Sequence, residues 1–204
     1  MNKGSVFIIA GPSGTGKDTL LKKLFEKHPE LEFSISSVTR RMREGEKEGE
    51  KYNFISREKF ERMIADDQLL EYNVYVGNYY GTPKAPIINA TENGKDIIIE
   101  CDVNGAENIR KKLPDAVSIF IMPPSFEELE RRLRGRGTES EQVIRERLNT
   151  AIDEIKRAGE FDYIVVNDNV DLAIEHTNAV IQNYRLRYEN QKELIDEVLS
   201  NAKS

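Results

Sequence analysis

Short runs of consecutive apolar residues alternate along this chain with longer stretches whose apolar positions recur every three or four residues. The short runs are Val6–Ala10, Phe33–Ser37, Ile97–Cys101, Val117–Met122 and Tyr163–Val166. Their length and branched content predict strands buried on both faces. The longer stretches predict helices. The first starts within the glycine-rich segment after Ala10 and runs to about Lys27, with Leu20, Leu21, Leu24 and Phe25 on its apolar side. It stops at His28-Pro29, because proline disfavours a helical predecessor. A Pro123-Pro124-Ser125 turn and cap precedes a predicted helix over Phe126–Leu133, and another follows over about Glu141–Ala158. The last spans Asp171 to about Leu199, with Leu172, Ile174, Val180, Ile181, Leu186, Leu194, Ile195, Val198 and Leu199 expected to pack. Strands alternating with helices in this way predict an α/β fold on a parallel sheet.

Residues 40–91 break the alternation. "YNFI" and "LLEYNVYVGNYYGT" are rich in aromatic and branched residues suited to strands, while Ser56–Ala65 and Pro83–Thr91 read as short helices. Asn93-Gly94 supplies a helix stop before the next strand. The expectation is a small mixed insertion, residues 40–91, in a core made of residues 1–39 and 92–204.

Composition narrows the class. With 204 residues, 38% hydrophobic and 32% charged, the chain fits a soluble globular domain. Its apolar runs are too short to cross a bilayer, and one cysteine, Cys101, forms neither an internal disulfide nor a zinc cluster. A cytoplasmic location with no membrane partner is expected. A net charge of -6 argues against general nucleic-acid binding. Positive charge is nevertheless concentrated in two stretches, Arg40, Arg41, Arg43, Lys47 and Lys51, and Arg131, Arg132, Arg134, Arg136, Arg145 and Arg147. Glu44, Glu46, Glu48 and Glu50 are interleaved with the first, so a solvated, salt-bridged surface is the competing reading.

The chemistry starts at Gly11-Pro12-Ser13-Gly14-Thr15-Gly16-Lys17. Glycine and lysine at this spacing, after an apolar strand and before a helix, predict a phosphate-binding loop: backbone N–H groups wrap the phosphates and Lys17 reaches the β and γ groups. Asp18 replaces the usual Ser or Thr, whose hydroxyl helps to hold magnesium; Thr19 follows one position later. Asp18 is expected to turn away, to cap helix donors or to offer an oxygen to hydrated magnesium. Glu100 and Asp102 fall on one side of the strand "DIIIECD" if it extends that far, where they could serve a metal or ligand or merely solubilise the strand end. Asp18, Thr19, Glu100 and Asp102 are the candidate magnesium ligands.

Taken together, "GPSGTGK", "SISSVTRRMREGEKEGEKYNF", "LLEYNVYVGNYYGT", "GRGTES" and "VVND" closely resemble guanylate kinases, in order from about Val6 through Leu172. The resemblance implies a P-loop nucleoside monophosphate kinase core that binds ATP, a mixed-sheet region that binds GMP or dGMP, and a mobile lid at about residues 132–150. It implies magnesium as cofactor. Guanine contacts fall on Ser36, Glu71, Thr82 and Asp102, and contacts to the acceptor phosphate on Arg40, Arg43, Tyr52 and Tyr80. Lid and transfer arginines fall on Arg132, Arg136 and Arg147, and Asn167 lies near the ATP adenine. These residue types suit the chemistry: the carboxylates of Glu71 and Asp102 accept from guanine N1–H and its 2-amino group, and Ser36 and Thr82 can donate to O6. Packing is a competing role for Tyr52, Tyr79 and Tyr80, as is pairing with Glu128 for Arg132 and with Glu139 or Glu141 for Arg147. The alternative function is an inactive, guanylate-kinase-like protein-binding module, which would be expected to erode the glycine–lysine loop that is intact here. The helix past about Asn190 leaves room for an oligomer contact.

Overall fold

In the computed structural model, which describes residues 3–135 and 140–202, the first half of the chain forms β1 (Val6–Ala10), α1 (Lys17–Lys27), β2 (Glu32–Phe33), β3 (Ser36–Val38), β4 (Tyr52–Phe54), α2 (Arg57–Ala65), β5 (Leu69–Tyr75), β6 (Asn78–Pro83) and α3 (Lys84–Glu92). The second half forms β7 (Ile97–Glu100), α4 (Val103–Lys112), β8 (Val117–Met122), α5 (Phe126–Arg134), α6 (Glu141–Lys156), β9 (Tyr163–Val166), α7 (Val170–Arg185) and α8 (Tyr188–Asn201).

Five strands pair in parallel in the order β2-β7-β1-β8-β9. Their apolar runs are continuous because both faces are covered. Phe7 and Ile9 pack with Leu20, Leu24, Ala173, Ile174 and Ile181 of α1 and α7, whereas Ile8 and Ala10 pack with Ile87, Ala90, Ala106 and Ile109 of α3 and α4. The two-residue strand period thus sends alternate side chains into separate cores. The α/β expectation holds.

The second sheet is mixed, in the order β4-β3-β6-β5, with β3 parallel to β4 and antiparallel to β6. β5 and β6 form a hairpin whose turn residues Val76 and Gly77 both have positive φ, at 48° and 75°. Such a turn matches the twist of the strands it joins. Inside this lobe Tyr79 stacks on Phe60 with ring centroids 5.0 Å apart, while Tyr52 and Tyr80 meet edge to face at 6.3 Å.

Four boundaries differ from the sequence reading. The expected strand Phe33–Ser37 is two strands in two sheets, because Glu32 and Phe33 pair with β7 while Ser36–Val38 pair with β4 and β6. Strand propensity cannot tell that the chain changes sheets at Ser34-Ile35. β7 ends at Glu100, and Asp102 is the N-cap of α4, accepting from Gly105 N at 2.6 Å. α6 ends at Lys156, short of Ala158, which starts a 3-10 turn. The C-terminal stretch is two helices, broken where Arg187 adopts an extended backbone as the N-cap of α8. Ile174 and Ile181 are buried as expected, but Leu172, Leu186, Leu194, Val198 and Leu199 are exposed. Periodicity marks an apolar face without saying whether anything covers it.

Candidate active site

The C-terminal ends of β1 and β7 open into a cavity of about 610 Å³ that lies between the two sheets. On one side is the glycine loop. Gly11 has φ +144°, and a Cβ there would lie 2.4 Å from the carbonyl oxygen of Ile121. Gly16 is the N-cap of α1 in the left-handed region, and no side chain caps the helix. By contrast Ser56, Asp102, Ser125, Ser140 and Asn169 each cap their own helix. α3 and α8 also start without a side-chain cap, but the start of α1 lies on the cavity, where an anion can meet its N–H groups. Lys17 Nζ donates to the carbonyls of Gly11 at 2.5 Å and Pro12 at 2.9 Å. Burial lowers the pKa of its ammonium, while the charges of Glu100, Glu154 and Asp18 oppose that shift.

The far side is acidic. Glu71, on the edge strand β5, follows a bulge that sets it opposite Thr82 on β6. Its Oε1 accepts from the Thr82 hydroxyl at 2.6 Å. Burial pushes the Glu71 carboxyl up to about 7, with the Thr82 hydrogen bond opposing and the Asp102 charge adding to the rise. Asp102 is fixed by its cap to Gly105 and by Asn73 Nδ2, which donates to its Oδ2 at 3.0 Å. A Cβ on Gly105 would sit 3.3 Å from both Asp102 Oδ1 and Glu71 Oε2. That glycine lets the carboxylates of β5 and of the α4 N-cap share one corner. Ser36 lines the same cavity from β3.

Between these ends lie the cations and tyrosines. Arg40, Arg43, Tyr52 and Tyr80 all line the cavity. The Arg40 guanidinium forms a fork to both oxygens of Glu46, each at 2.6 Å, and lies over the Tyr52 ring at 5.1 Å. That fork raises the Arg40 pKa and holds the Glu46 carboxyl down at about 2. Arg147 reaches in from α6 and donates to the Ser13 hydroxyl at 3.1 Å. The basic stretches are therefore split by the fold: Lys47 pairs with Glu50, Arg131 with Glu128, and Arg134 with Glu130 and Glu141 in solvent, while Arg40, Arg43, Lys51 and Arg147 face the cavity.

Of the expected site residues, Gly11, Ser13, Gly14, Gly16, Lys17, Asp18, Thr19, Ser36, Arg40, Arg43, Tyr52, Glu71, Tyr80, Glu100, Asp102 and Arg147 meet on this cavity. Five others, Pro12, Thr15, Thr82, Arg132 and Asn167, are not among the lining residues. Thr82 is fully buried with its hydroxyl committed to Glu71, so it orients that carboxylate rather than forming the cavity surface. Thr15 is buried and donates to Pro12 O, the carbonyl that also receives Lys17. Asn167 is buried and ties its side chain to Thr15 O at 2.7 Å. Arg132 donates to Glu128 at 2.7 Å and to the Asn167 carbonyl at 3.0 Å, bracing the loop from outside. Arg136 and Glu139 lie outside the described residues, and with Glu139 so does one of the two acids expected to compete for Arg147.

Sequence reasoning missed Lys51, Asn73 and Glu154, all of which line the cavity. Asn73 lies two positions from Glu71 on one strand, and Glu154 seven from Arg147 on one helix, so each shares a face with an assigned residue. Lys51 is one of five cations in the first basic stretch, and no spacing in the sequence singles it out.

Magnesium can be tested against the donors present. Among the described residues no group of three or more His, Cys, Asp or Glu is suited to hold a metal. Asp18 and Glu100 both reach the cavity, and both pair with Lys51. Few protein ligands suffice for magnesium, which keeps much of its water and binds through one or two carboxylates plus phosphates. The donor set therefore fits an ion that arrives with a nucleotide.

The family model described as guanylate kinase matches residues 3–184. A guanylate kinase of Trichormus variabilis is 48% identical over 174 residues, covering 85% of this chain and 87% of the relative. That of Oceanobacillus iheyensis is 43% identical over 202 residues, covering 99% and 98%. The crystal structure of guanylate kinase from Anaplasma phagocytophilum superposes with a TM-score of 0.78 at 29% identity, covering 96% of this chain and 95% of that one.

Proposed function

The chain belongs to the guanylate kinase family, and on that premise we propose that it transfers the γ-phosphoryl group of ATP to GMP or dGMP, forming ADP and GDP or dGDP. One observation carries the reading: the uncapped start of α1 with Lys17, the Arg40 and Arg43 guanidiniums, and the Glu71–Asp102 carboxylates line one continuous cavity. Two nucleotides can lie in it tail to tail. The loop takes the triphosphate, and the mixed sheet, which starts at Ser36 rather than Arg40, takes the monophosphate.

Specificity follows from donor–acceptor matching. With Thr82 on Oε1, Glu71 keeps Oε2 for a ligand donor, and Asp102 sits alongside to accept a second. Guanine presents N1–H and a 2-amino group together, and adenine does not. An adenine in this corner would leave buried acceptors unpaired, at roughly 1–3 kcal/mol each. Ser36, which lines the same cavity, would donate to O6. Arg40 would exchange Glu46 for the acceptor phosphate, which offers the same pair of oxygens.

No protein nucleophile is needed, because an anionic phosphate oxygen of GMP attacks the γ-phosphorus directly. Lys17 and Arg147 would stabilise charge on the moving group. Closure of the segment at about residues 132–150 would exclude water, the competing acceptor. Magnesium, when bound, would neutralise phosphate charge, with Thr19, Asp18 or Glu100 contacting it directly or through water. Among the described residues no helix is long and apolar enough to cross a membrane, and small soluble substrates suit a cytoplasmic setting.

The test is ADP release by the purified chain with ATP, magnesium and each of GMP, dGMP, AMP, CMP and UMP. Turnover is expected with the guanine nucleotides alone, and Lys17→Met should lower kcat by at least about a hundredfold. Absence of turnover in a chain that still binds GMP would favour the inactive protein-binding alternative.

A further inference from the structure

Asp18 stands where a phosphate loop ordinarily carries a hydroxyl, and its charge is answered from the other lobe. Lys51, the residue before β4, contacts Asp18 Oδ1 and reaches Glu100 Oε2 at 2.9 Å. The first turn of α1, the end of β7 and the entry to β4 therefore meet on one ammonium. All three side chains line the cavity beside Lys17. Glu100 is 13% exposed and Lys51 39%, whereas Asp18 is 71% exposed, so the ammonium links a nearly buried carboxylate to one that faces solvent at the mouth of the site. Burial alone would lower the Lys51 pKa, but the Glu100 charge and the hydrogen bonds to Asp18 and Glu100 carry it above its ordinary value.

Resting on the reading that this cavity takes ATP, we infer that Lys51 is a built-in counter-ion that lets a phosphate loop carrying Asp18 accept a triphosphate. It is a positioning residue of the acceptor lobe that acts on the nucleotide bound by the other lobe. Without it, the solvent-facing Asp18 and the nearly buried Glu100 would both place like charge beside an incoming polyanion. Two of the three ammonium donors are taken by Asp18 and Glu100, so the charge of Lys51 is directed to the two acids. The same bridge ties the acceptor lobe to the loop before either substrate arrives. Asp18 and Lys51 are thus one feature: the unusual acid in the loop is matched by a base 33 residues away.

The test is calorimetric binding of the β,γ-methylene analogue of ATP to the full chain without GMP, at low and high salt, for wild type, Lys51→Met, Asp18→Ser and the double variant. Lys51→Met should weaken binding by about fivefold to tenfold at low salt and by less at high salt. The double variant should bind within about twofold of Asp18→Ser alone, because the charge that Lys51 offsets is then reduced. Lys51→Arg should keep most of the wild-type affinity, and steady-state assays of Lys51→Met should change KM for ATP more than kcat. Unchanged affinity in Lys51→Met, or an equal loss with and without Asp18, overturns the inference. Tighter binding in Lys51→Met overturns it too, and would identify the bridge as a clamp that holds the cleft shut. If Lys51→Met does not fold, Lys51→Gln carries the same comparison. A wild-type chain that binds the analogue yet leaves GMP unphosphorylated would instead overturn the parent reading.

Discussion

The hydroxyl of Thr82 donates to Oε1 of Glu71 across the β5–β6 ladder at 2.6 Å, from a position with no exposed surface. A buried threonine thereby decides which oxygen of the carboxylate meets a ligand. Thr82→Val keeps the shape and removes the donor. GMP KM should rise about tenfold while binding of the ATP analogue stays at the wild-type level. Equal KM values for GMP in the two proteins would show that Glu71 needs no such partner.

The raised pKa of Glu71 gives opposite pH signs for stability and binding. Its ordinary value is 4.5 and its folded value about 7. Across that window the native carboxyl keeps a proton that the unfolded chain releases, so this group's contribution to stability is full below about pH 4.5 and is lost as pH rises to about 7. If Glu71 accepts from guanine as proposed, the ionised form is the binding one, and GMP affinity should increase through the same window. Glu71→Gln should flatten both profiles, with a higher Tm than wild type at pH 8 and weak, pH-independent GMP binding. Thermal unfolding and GMP KM between about pH 5.5 and 8.5 check both signs.

Arg40 holds Glu46 as a two-point fork in a nearly buried setting, with a side chain 9% exposed. Lysine keeps the charge but cannot span two oxygens. Arg40→Lys should raise the GMP KM by about tenfold or more and leave binding of the ATP analogue intact. Loss of both substrates together would place Arg40 at the γ-phosphate instead of the acceptor phosphate.

Gly16 has φ +86°, and a Cβ there would come within 2.7 Å of Asn167 Nδ2. Gly16→Ala should therefore break the Asn167 tie to Thr15 O and tilt the loop, lowering stability by about 1–3 kcal/mol and abolishing detectable ATP binding. Denaturant unfolding with calorimetry reads both effects. Gly45, with φ +81° and nothing within 4 Å of an added Cβ, is the control, and Gly45→Ala should show the backbone strain without the clash or the loss of ATP binding.

How much was legible depended on the range of the interaction. The loop, its strand and its helix were readable because Gly11, Gly16 and Lys17 act through neighbouring backbone, and the core strands because alternate residues such as Ile8 and Ile9 must each find a covered face. The Asn73 contact was readable in principle from strand period, as was Glu154 from helix period. The sheet change at Ser34-Ile35 was not, because β-prone residues report extended backbone and not which partner pairs with it.

By itself the sequence determined that an apolar parallel sheet would end in a phosphate loop and that acids and arginines would accompany it, since periodicity and motif spacing act within a few residues of chain. Only the tertiary structure decided which charges work together. Lys51 reached Asp18 and Glu100, Arg132 and Asn167 went behind the loop, and Thr82 took Glu71 as its partner. Electrostatic and hydrogen-bond energies depend on distance and burial in space, and separations of 33 or 152 residues along the chain carry no trace of either.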